Sequence, residues 1–264
     1  MFKKRQLKKD FEKAVKLYGK NKYNESSLIL HNLIDEKFNL KDSYYYLGLI
    51  STELKDYNES IVYLNNALNH ESSITDDYLI YLSLGINFYY LGDYDNSLKY
   101  LDESLNLNDD NYETYYYKAS TLFKLNNDED ALQLINKGLK IYSKDYKLWS
   151  LKASIHYKLN EVDKALKIAN STLSLNRNDL NALKIKGNVF FTLNKFEDAL
   201  KVYVNVRKLE TNNKYNWLNE GNVLLKLKDY DNALKRYQYA LKVDSNFTEA
   251  KEAIENLKSI EEEI

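Results

Sequence analysis

The stretch GNVLLKLKDYDNALKRYQYAL, residues 221–241, reads as two helical segments separated by the polar break KLKDYD. Two residues are smaller than an isolated helix would favour: Gly221 opens the first segment and Ala233 sits in the second. Glycine inside a helix costs about 1 kcal/mol relative to alanine, so the pattern asks for a compensating contact. Steps of 34 residues back from Gly221 reach Gly187, Ala153, Ala119 and Gly85; one step of 37 then reaches Gly48, and a last step of 34 reaches Ala14. The same walk from Ala233 meets Ala199, Ala165, Ala131, Ser97, Ser60 and Ser26. Two small positions returning at a fixed period predict a pair of helices that approach closely once in every repeat.

Each repeat is counted here from 1, so that Gly221 is position 8 of the repeat beginning at Lys214. At 100° per residue, positions 4, 7, 8 and 11 form the stripe that packs on the second helix, and positions 2, 5, 9 and 12 lie on the opposite side. That opposite stripe includes Tyr45, Leu82, Ile86, Tyr89, Tyr116, Phe123, Tyr157 and Phe191. A surface helix should be polar there. Either neighbouring first helices bury these rings against one another, or the rings form a contact surface, since Tyr and Phe supply large area at little entropic cost.

The period and its residues resemble the tetratricopeptide repeat. Tyr81, Leu84, Gly85 and Phe88 match the first half of its pattern, and Trp217, Gly221, Ala233, Tyr237 and Ala240 supply the second. Tyr23, Tyr57, Tyr94, Phe196 and Tyr230 fill its aromatic position in the inter-helix turn. The resemblance covers almost the whole chain as seven repeats: 7–40, 41–77, 78–111, 112–145, 146–179, 180–213 and 214–247. It implies an all-α fold, a right-handed superhelical solenoid of helix–turn–helix units spanning 1–264 as a single domain. The family usually places proline near the end of the second helix, and this chain has none. Ser143, Arg177, Thr211 and Ser245 stand there instead, in runs such as SLNRND and LETNNK whose Asn and Asp can stop one helix and cap the next. The extra residues of the 37-residue step fall in LNHESSITDD, 68–77, a longer loop. After the seventh repeat, 248–264 places Ala250, Ala253, Ile254 and Leu257 on one side and Glu252, Glu255 and Glu261–Glu263 elsewhere, the pattern of a solvating cap.

Composition narrows the chemistry. The absence of cysteine removes disulfides and thiolate metal sites and fits a reducing compartment. MFKKRQLKKDFEKAV has no apolar core behind its basic start, and no later segment approaches 18 uninterrupted apolar residues, so a cytoplasmic chain without membrane insertion is expected. No Gly-rich phosphate loop or dinucleotide fingerprint occurs. His31, His70 and His156 are far apart, and His156 falls at a packing position of a first helix. The acidic pairs Glu129–Asp130 and Glu197–Asp198 sit in the first turn of second helices, where negative charge complements the helix dipole. No catalytic, cofactor-binding or metal-ligating residue is assigned.

The net charge of −1 is unevenly spread. Residues 41–111 hold 13 Asp and Glu against 3 Lys and Arg, while residues 146–247 hold 18 Lys and Arg against 10 Asp and Glu. This is either a solvated outer surface of drifting composition, a polarised groove, or a basis for head-to-tail contact between copies.

In tetratricopeptide proteins the stripe at positions 2, 5, 9 and 12 lines the concave groove. The resemblance therefore implies a non-enzymatic scaffold that binds a peptide or protein segment there. The expected groove residues are Tyr45, Tyr89, Tyr116, Phe123, Tyr157, Lys184, Asn188, Phe191, Asn219, Asn222 and Lys226. Lys184, Asn188 and Asn219 match part of the carboxylate clamp of some co-chaperone repeats, but Glu249 and Ala253 stand where its last two basic residues belong. Asn188 and Asn222 could instead hydrogen-bond an extended backbone. Two other classes are carried: a module that associates with itself through its acidic and basic halves, and a helical-repeat binder of single-stranded RNA, against which the near-neutral charge counts.

Overall fold

A computed structural model describes residues 2–71 and 74–262. Among them the chain forms fifteen α-helices and no strand. The helices come in pairs that follow the sequence register: α1 (Phe2–Tyr18) with α2 (Tyr23–Asp35), α3 (Leu40–Glu53) with α4 (Tyr57–Leu68), α5 (Asp77–Leu91) with α6 (Tyr94–Leu107), and α7 (Tyr112–Lys124) with α8 (Asp128–Ile141). These four pairs make up a first compact unit, Met1–Ser143. The second unit, Lys144–Ile264, contains α9 (Tyr146–Lys158) and α10 (Val162–Leu175), then α11 (Leu180–Thr192) and α12 (Phe196–Leu209), then α13 (Lys214–Lys226) and α14 (Tyr230–Val243). A fifteenth helix, α15 (Thr248–Glu262), follows them.

The turn inside each pair is the most regular local feature. Position 15 is left-handed in all seven repeats: Asn21, Lys55, Gly92, Asn126, Asn160, Asn194 and Lys228 have φ between 56° and 78°. The next amide reaches back to the carbonyl at position 11, as in Asp56 N to Ser51 O at 2.8 Å and Asn127 N to Leu122 O at 2.9 Å. This Schellman closure satisfies carbonyls that a helix end would otherwise leave open. The aromatic turn residues Tyr23, Tyr57, Tyr94, Phe196 and Tyr230 are the first residues of their second helices.

Capping does the work that proline does elsewhere in such folds. Asn111, Asp145, Asp179 and Asn213 each accept a hydrogen bond from an amide in the first turn of the helix they precede; Asp145 accepts from Leu148 N at 2.7 Å. The long connection between Leu68 and Asp77 is the expected one, with residues 72 and 73 outside the described residues. In α15, Ala250 and Leu257 are buried, Ala253 and Ile254 partly so, and Glu252 and Glu255 are exposed. The expected solvent face at Glu261–Glu263 lies outside the described side chains.

The close approach at the small positions is directly visible. In the first unit the position-20 serines donate to the position-8 carbonyl of the partner helix: Ser26 to Ala14 at 2.8 Å, Ser60 to Gly48 at 2.8 Å and Ser97 to Gly85 at 2.9 Å. A Cβ on Gly48 would lie 2.7 Å from Leu64 Cγ, and one on Gly221 would lie 2.5 Å from Tyr237 Cε1. Packing therefore outweighs the helix propensity that glycine forfeits.

Candidate functional site: the inner face of the first helices

Within each unit, first helices of neighbouring repeats touch: α1 with α3, α3 with α5, α5 with α7, and α9 with α11. Among the described residues no two successive second helices meet to that extent. The first helices thus form the tighter, inner side of each unit, and the position 2, 5, 9 and 12 stripe lies on it.

In the second unit this face holds a cavity of about 250 Å³, lined by Tyr157, Asn188, Phe191, Thr192, Tyr203, Asn219 and Asn222. Five of the eleven residues expected from the sequence come together here. Gly187 and Gly221 explain how the cavity is built. Without a Cβ at position 8, the ring at position 24 can lie across the first helix and carry its hydroxyl through to the inner side. Tyr203 donates to Asn188 Oδ1 at 2.5 Å, and Tyr237 donates to Asn222 Oδ1 at 3.0 Å. Burial pushes the Tyr237 phenol up to about 12 and raises that of Tyr203 as well, so both stay protonated donors. Each asparagine oxygen is occupied, and among the described residues neither amide nitrogen has a hydrogen-bond partner.

Lys184 does not join this group. Its Nζ lies 2.9 Å from Glu210 Oε2, which also accepts from Asn216 and Asn213. Lys184 and these amides hold the Glu210 carboxyl below its usual range. The lysine charge is neutralised within the fold, and the partial resemblance to a carboxylate clamp does not assemble into one. Lys226 is exposed in the last turn of α13, away from the cavity lining.

In the first unit the inner face holds a larger cavity of about 640 Å³ between α1, α3, α5 and α7. Tyr45 lines it, as expected, with Leu82 and Ile86. Tyr89 instead packs edge-on against Tyr90 and Tyr117, and Tyr116 edge-on against Tyr117. Phe123 is half-buried on α7. Tyr89 thus packs on a ring of the neighbouring first helix, Tyr116 is half-buried beside Tyr117 on its own helix, and Tyr45 lines the cavity.

The sequence reading missed Tyr18, Glu53, Tyr90, Glu113 and Tyr117, which line the same cavity. Tyr18 and Glu113 occupy positions 12 and 2, so the register could have found them. Tyr90, Glu53 and Tyr117 sit at positions 13 and 6, at the edge of the stripe, where only the packing of adjacent helices decides which way a side chain turns.

Other polar groups serve the scaffold. Glu220, 1% exposed, pairs with Arg207 and with Arg236, the latter at 2.6 Å, and both guanidinium groups lie over the Trp217 ring. His156 is half-buried with Nδ1 against the Glu161 carboxylate. Among the described residues no group of three or more metal-ligating side chains gathers, and no helix is long and apolar enough to cross a membrane.

The architecture defines a class, the helix-pair repeat proteins, and comparison specifies the kind. Residues 89–155 match one family model of the tetratricopeptide repeat, and residues 41–69 and 215–247 match another. With seven helix–turn–helix units in the family's register, the chain is a tetratricopeptide-repeat protein. It superposes on a chain of the APC/C heterotetramer Cut9-Hcn1 with a TM-score of 0.80 at 14% identity, covering 92% of this chain and 48% of that one. It spans about half of that protein's length. A tetratricopeptide repeat protein from Parabacteroides merdae gives 0.70 at 18% identity, covering 96% of this chain and 99% of that one. YrrB, a protein of this kind with an unusual peptide-binding site, gives 0.54 at 18% identity, covering 75% of this chain and 97% of that one. These likenesses concern the fold. Among curated proteins no sequence match is found.

Proposed function

We propose that this chain is a non-enzymatic interaction scaffold that takes an extended polypeptide segment on the inner face of its first helices. The observation that carries the reading is the tandem of Asn188 and Asn222. Each is oriented by a buried tyrosine hydroxyl on its oxygen, and each has an amide nitrogen without a partner among the described residues. Two preset donors, one repeat apart, suit the carbonyls of an extended backbone. Tyr157 and Phe191 beside them supply apolar area for side chains. That YrrB, similar in fold, has a peptide-binding site supports a peptide as the kind of ligand.

The test is affinity capture with the immobilised chain, the retained proteins being identified by mass spectrometry. Tyr157→Ala, or Asn188→Leu with Asn222→Leu, should weaken a retained partner by about 1–3 kcal/mol. Lys201→Glu, on the second helix α12 and paired with Asp198 three residues before it, should leave retention unchanged. Retention that survives every inner-face variant and fails with Lys201→Glu would move the partner to the outer helices.

A further inference from the structure

The cavity of the first unit differs from the asparagine-lined one in its chemistry. Five tyrosines line it, Tyr18, Tyr45, Tyr57, Tyr90 and Tyr117, alongside aliphatic residues such as Leu82 and Ile86. Two of them pack on other rings, Tyr90 stacked on Tyr57 and Tyr117 edge-on to Tyr89. Two carboxylates line it, Glu53 and Glu113, and among the described residues neither has a salt-bridge partner. Lys55 is the one ammonium group along the same lining. The repeats that build most of the cavity carry 13 Asp and Glu against 3 Lys and Arg.

We infer that this cavity is a binding site for a cationic side chain, arginine or lysine, carried by the polypeptide segment that the scaffold takes up. This rests on the groove reading above and adds the partner's charge to it. Three physical arguments converge. Ring faces attract a cation through their quadrupole, most strongly where water is excluded. The two carboxylates offer charge-assisted hydrogen bonds that no group among the described residues already uses. Burial is the main reason the phenols of Tyr18, Tyr45 and Tyr117 are raised, Tyr18 up to about 12, and the carboxylate field adds a smaller part, Glu53 at Tyr18 and Glu113 at Tyr45 and Tyr117. Burial disfavours charge of either sign, but the carboxylate part of the shift favours an ammonium or guanidinium in the same place.

The alternatives fare worse on the same geometry. An anionic group would meet both carboxylates with Lys55 alone to offset them. A purely apolar side chain would strip water from Glu53 and Glu113 and return no hydrogen bond. The volume, about 640 Å³, leaves room for a side chain together with the backbone that bears it.

The test uses the full chain and four fluorescein-labelled peptides of one alanine–serine background, carrying arginine, lysine, norleucine or glutamate at the same sites, read by fluorescence anisotropy. The arginine and lysine peptides should bind about tenfold more tightly than the norleucine peptide. That margin should shrink as salt rises from about 0.05 M to about 0.5 M. Glu53→Gln with Glu113→Gln should abolish the preference; both side chains reach solvent, so the melting curve should stay in place. Tyr45→Ala should weaken the basic peptides selectively. Norleucine bound as tightly as arginine, no binding of the arginine peptide at millimolar concentration, or an unchanged preference in the double variant would each overturn the site. So would a dimer that the double variant dissolves, since the occupant would then be a second copy. Failure of the groove reading looks different: Asn188→Leu with Asn222→Leu would leave all four peptides unaffected while the charge preference persisted.

Discussion

The joints between repeats are built from one register but two chemistries. At two joints of the first unit, position 20 of one repeat meets position 10 of the next through polar groups: Asn87 Nδ2 donates to Ser60 Oγ at 2.9 Å, and Ser97 Oγ lies 3.1 Å from Thr121 Oγ1. In the second unit the same positions are Ala165 with Val189 and Ala199 with Val223, in apolar clusters. The residue facing the position-8 glycine changes too, from Leu64 and Leu101 in the first unit to Tyr203 and Tyr237 in the second. A leucine seals the inter-helix space. A tyrosine crosses it and presents a hydroxyl to the inner face. The period thus fixes where backbones approach, and the residue placed against the gap decides whether the interior of the repeat reaches the groove.

The strongest break in this comparison lies in the second unit, at its buried ion triad. Glu220→Ala should leave Arg207 and Arg236 without a counter-charge over Trp217 and cost about 3 kcal/mol in denaturant unfolding. A loss under about 1 kcal/mol would mean that water replaces the carboxylate there.

Next in size is the glycine gap. Gly221→Leu should destabilise by about 1–3 kcal/mol through overpacking against Tyr237, although leucine is the better helix former. Gly187→Leu should cost less, since its first contact, Tyr203 Cε1, is 3.0 Å from the added Cβ against 2.5 Å to Tyr237 at Gly221. Thermal melts of the two variants decide it; a stabilised Gly221→Leu chain would show that the gap is not filled.

A smaller test converts one joint into the other. Ser60→Ala should cost about 1–2 kcal/mol, because Asn87, fully buried, loses a partner for its amide. Ser60→Ala combined with Asn87→Val copies the Ala–Val joint of the second unit and should recover most of the loss. A double variant no more stable than the single one would show that the polar joint is not exchangeable for an apolar one.

The smallest effect is pH-dependent. Lys184 lowers the folded-state pKa of Glu210, so their pairing adds stability above the usual glutamate range near pH 4 and loses it as pH falls through the lowered value. Lys184→Met should therefore cost about a few tenths of a kcal/mol at neutral pH and nothing once pH has fallen below the lowered Glu210 value. Equal losses at pH 7 and pH 3 would assign the effect to lost methylene packing.

Fold and site were legible in the sequence to different depths. The walk from Gly221 and Ala233 located the helix pairs, because backbone approach at 0% exposed positions such as Ala14, Ala119 and Ala233 tolerates only small residues, and that constraint is written once per repeat. The left-handed residue at position 15 was also present in the sequence, as Asn or Gly in five repeats.

Which aromatic rings reach the groove was decided elsewhere. Tyr45 and Tyr89 stand on the same stripe, yet one lines a cavity and the other packs on Tyr90 and Tyr117, since the outcome depends on what the neighbouring first helix presents at the same height. Lys184 reads as a groove cation until Glu210, 26 residues on, comes within 2.9 Å of it. Helical period is a property of one segment and can be read from it. Burial, pairing and the orientation of Asn188 by Tyr203 depend on distances between helices, which only the packed structure sets.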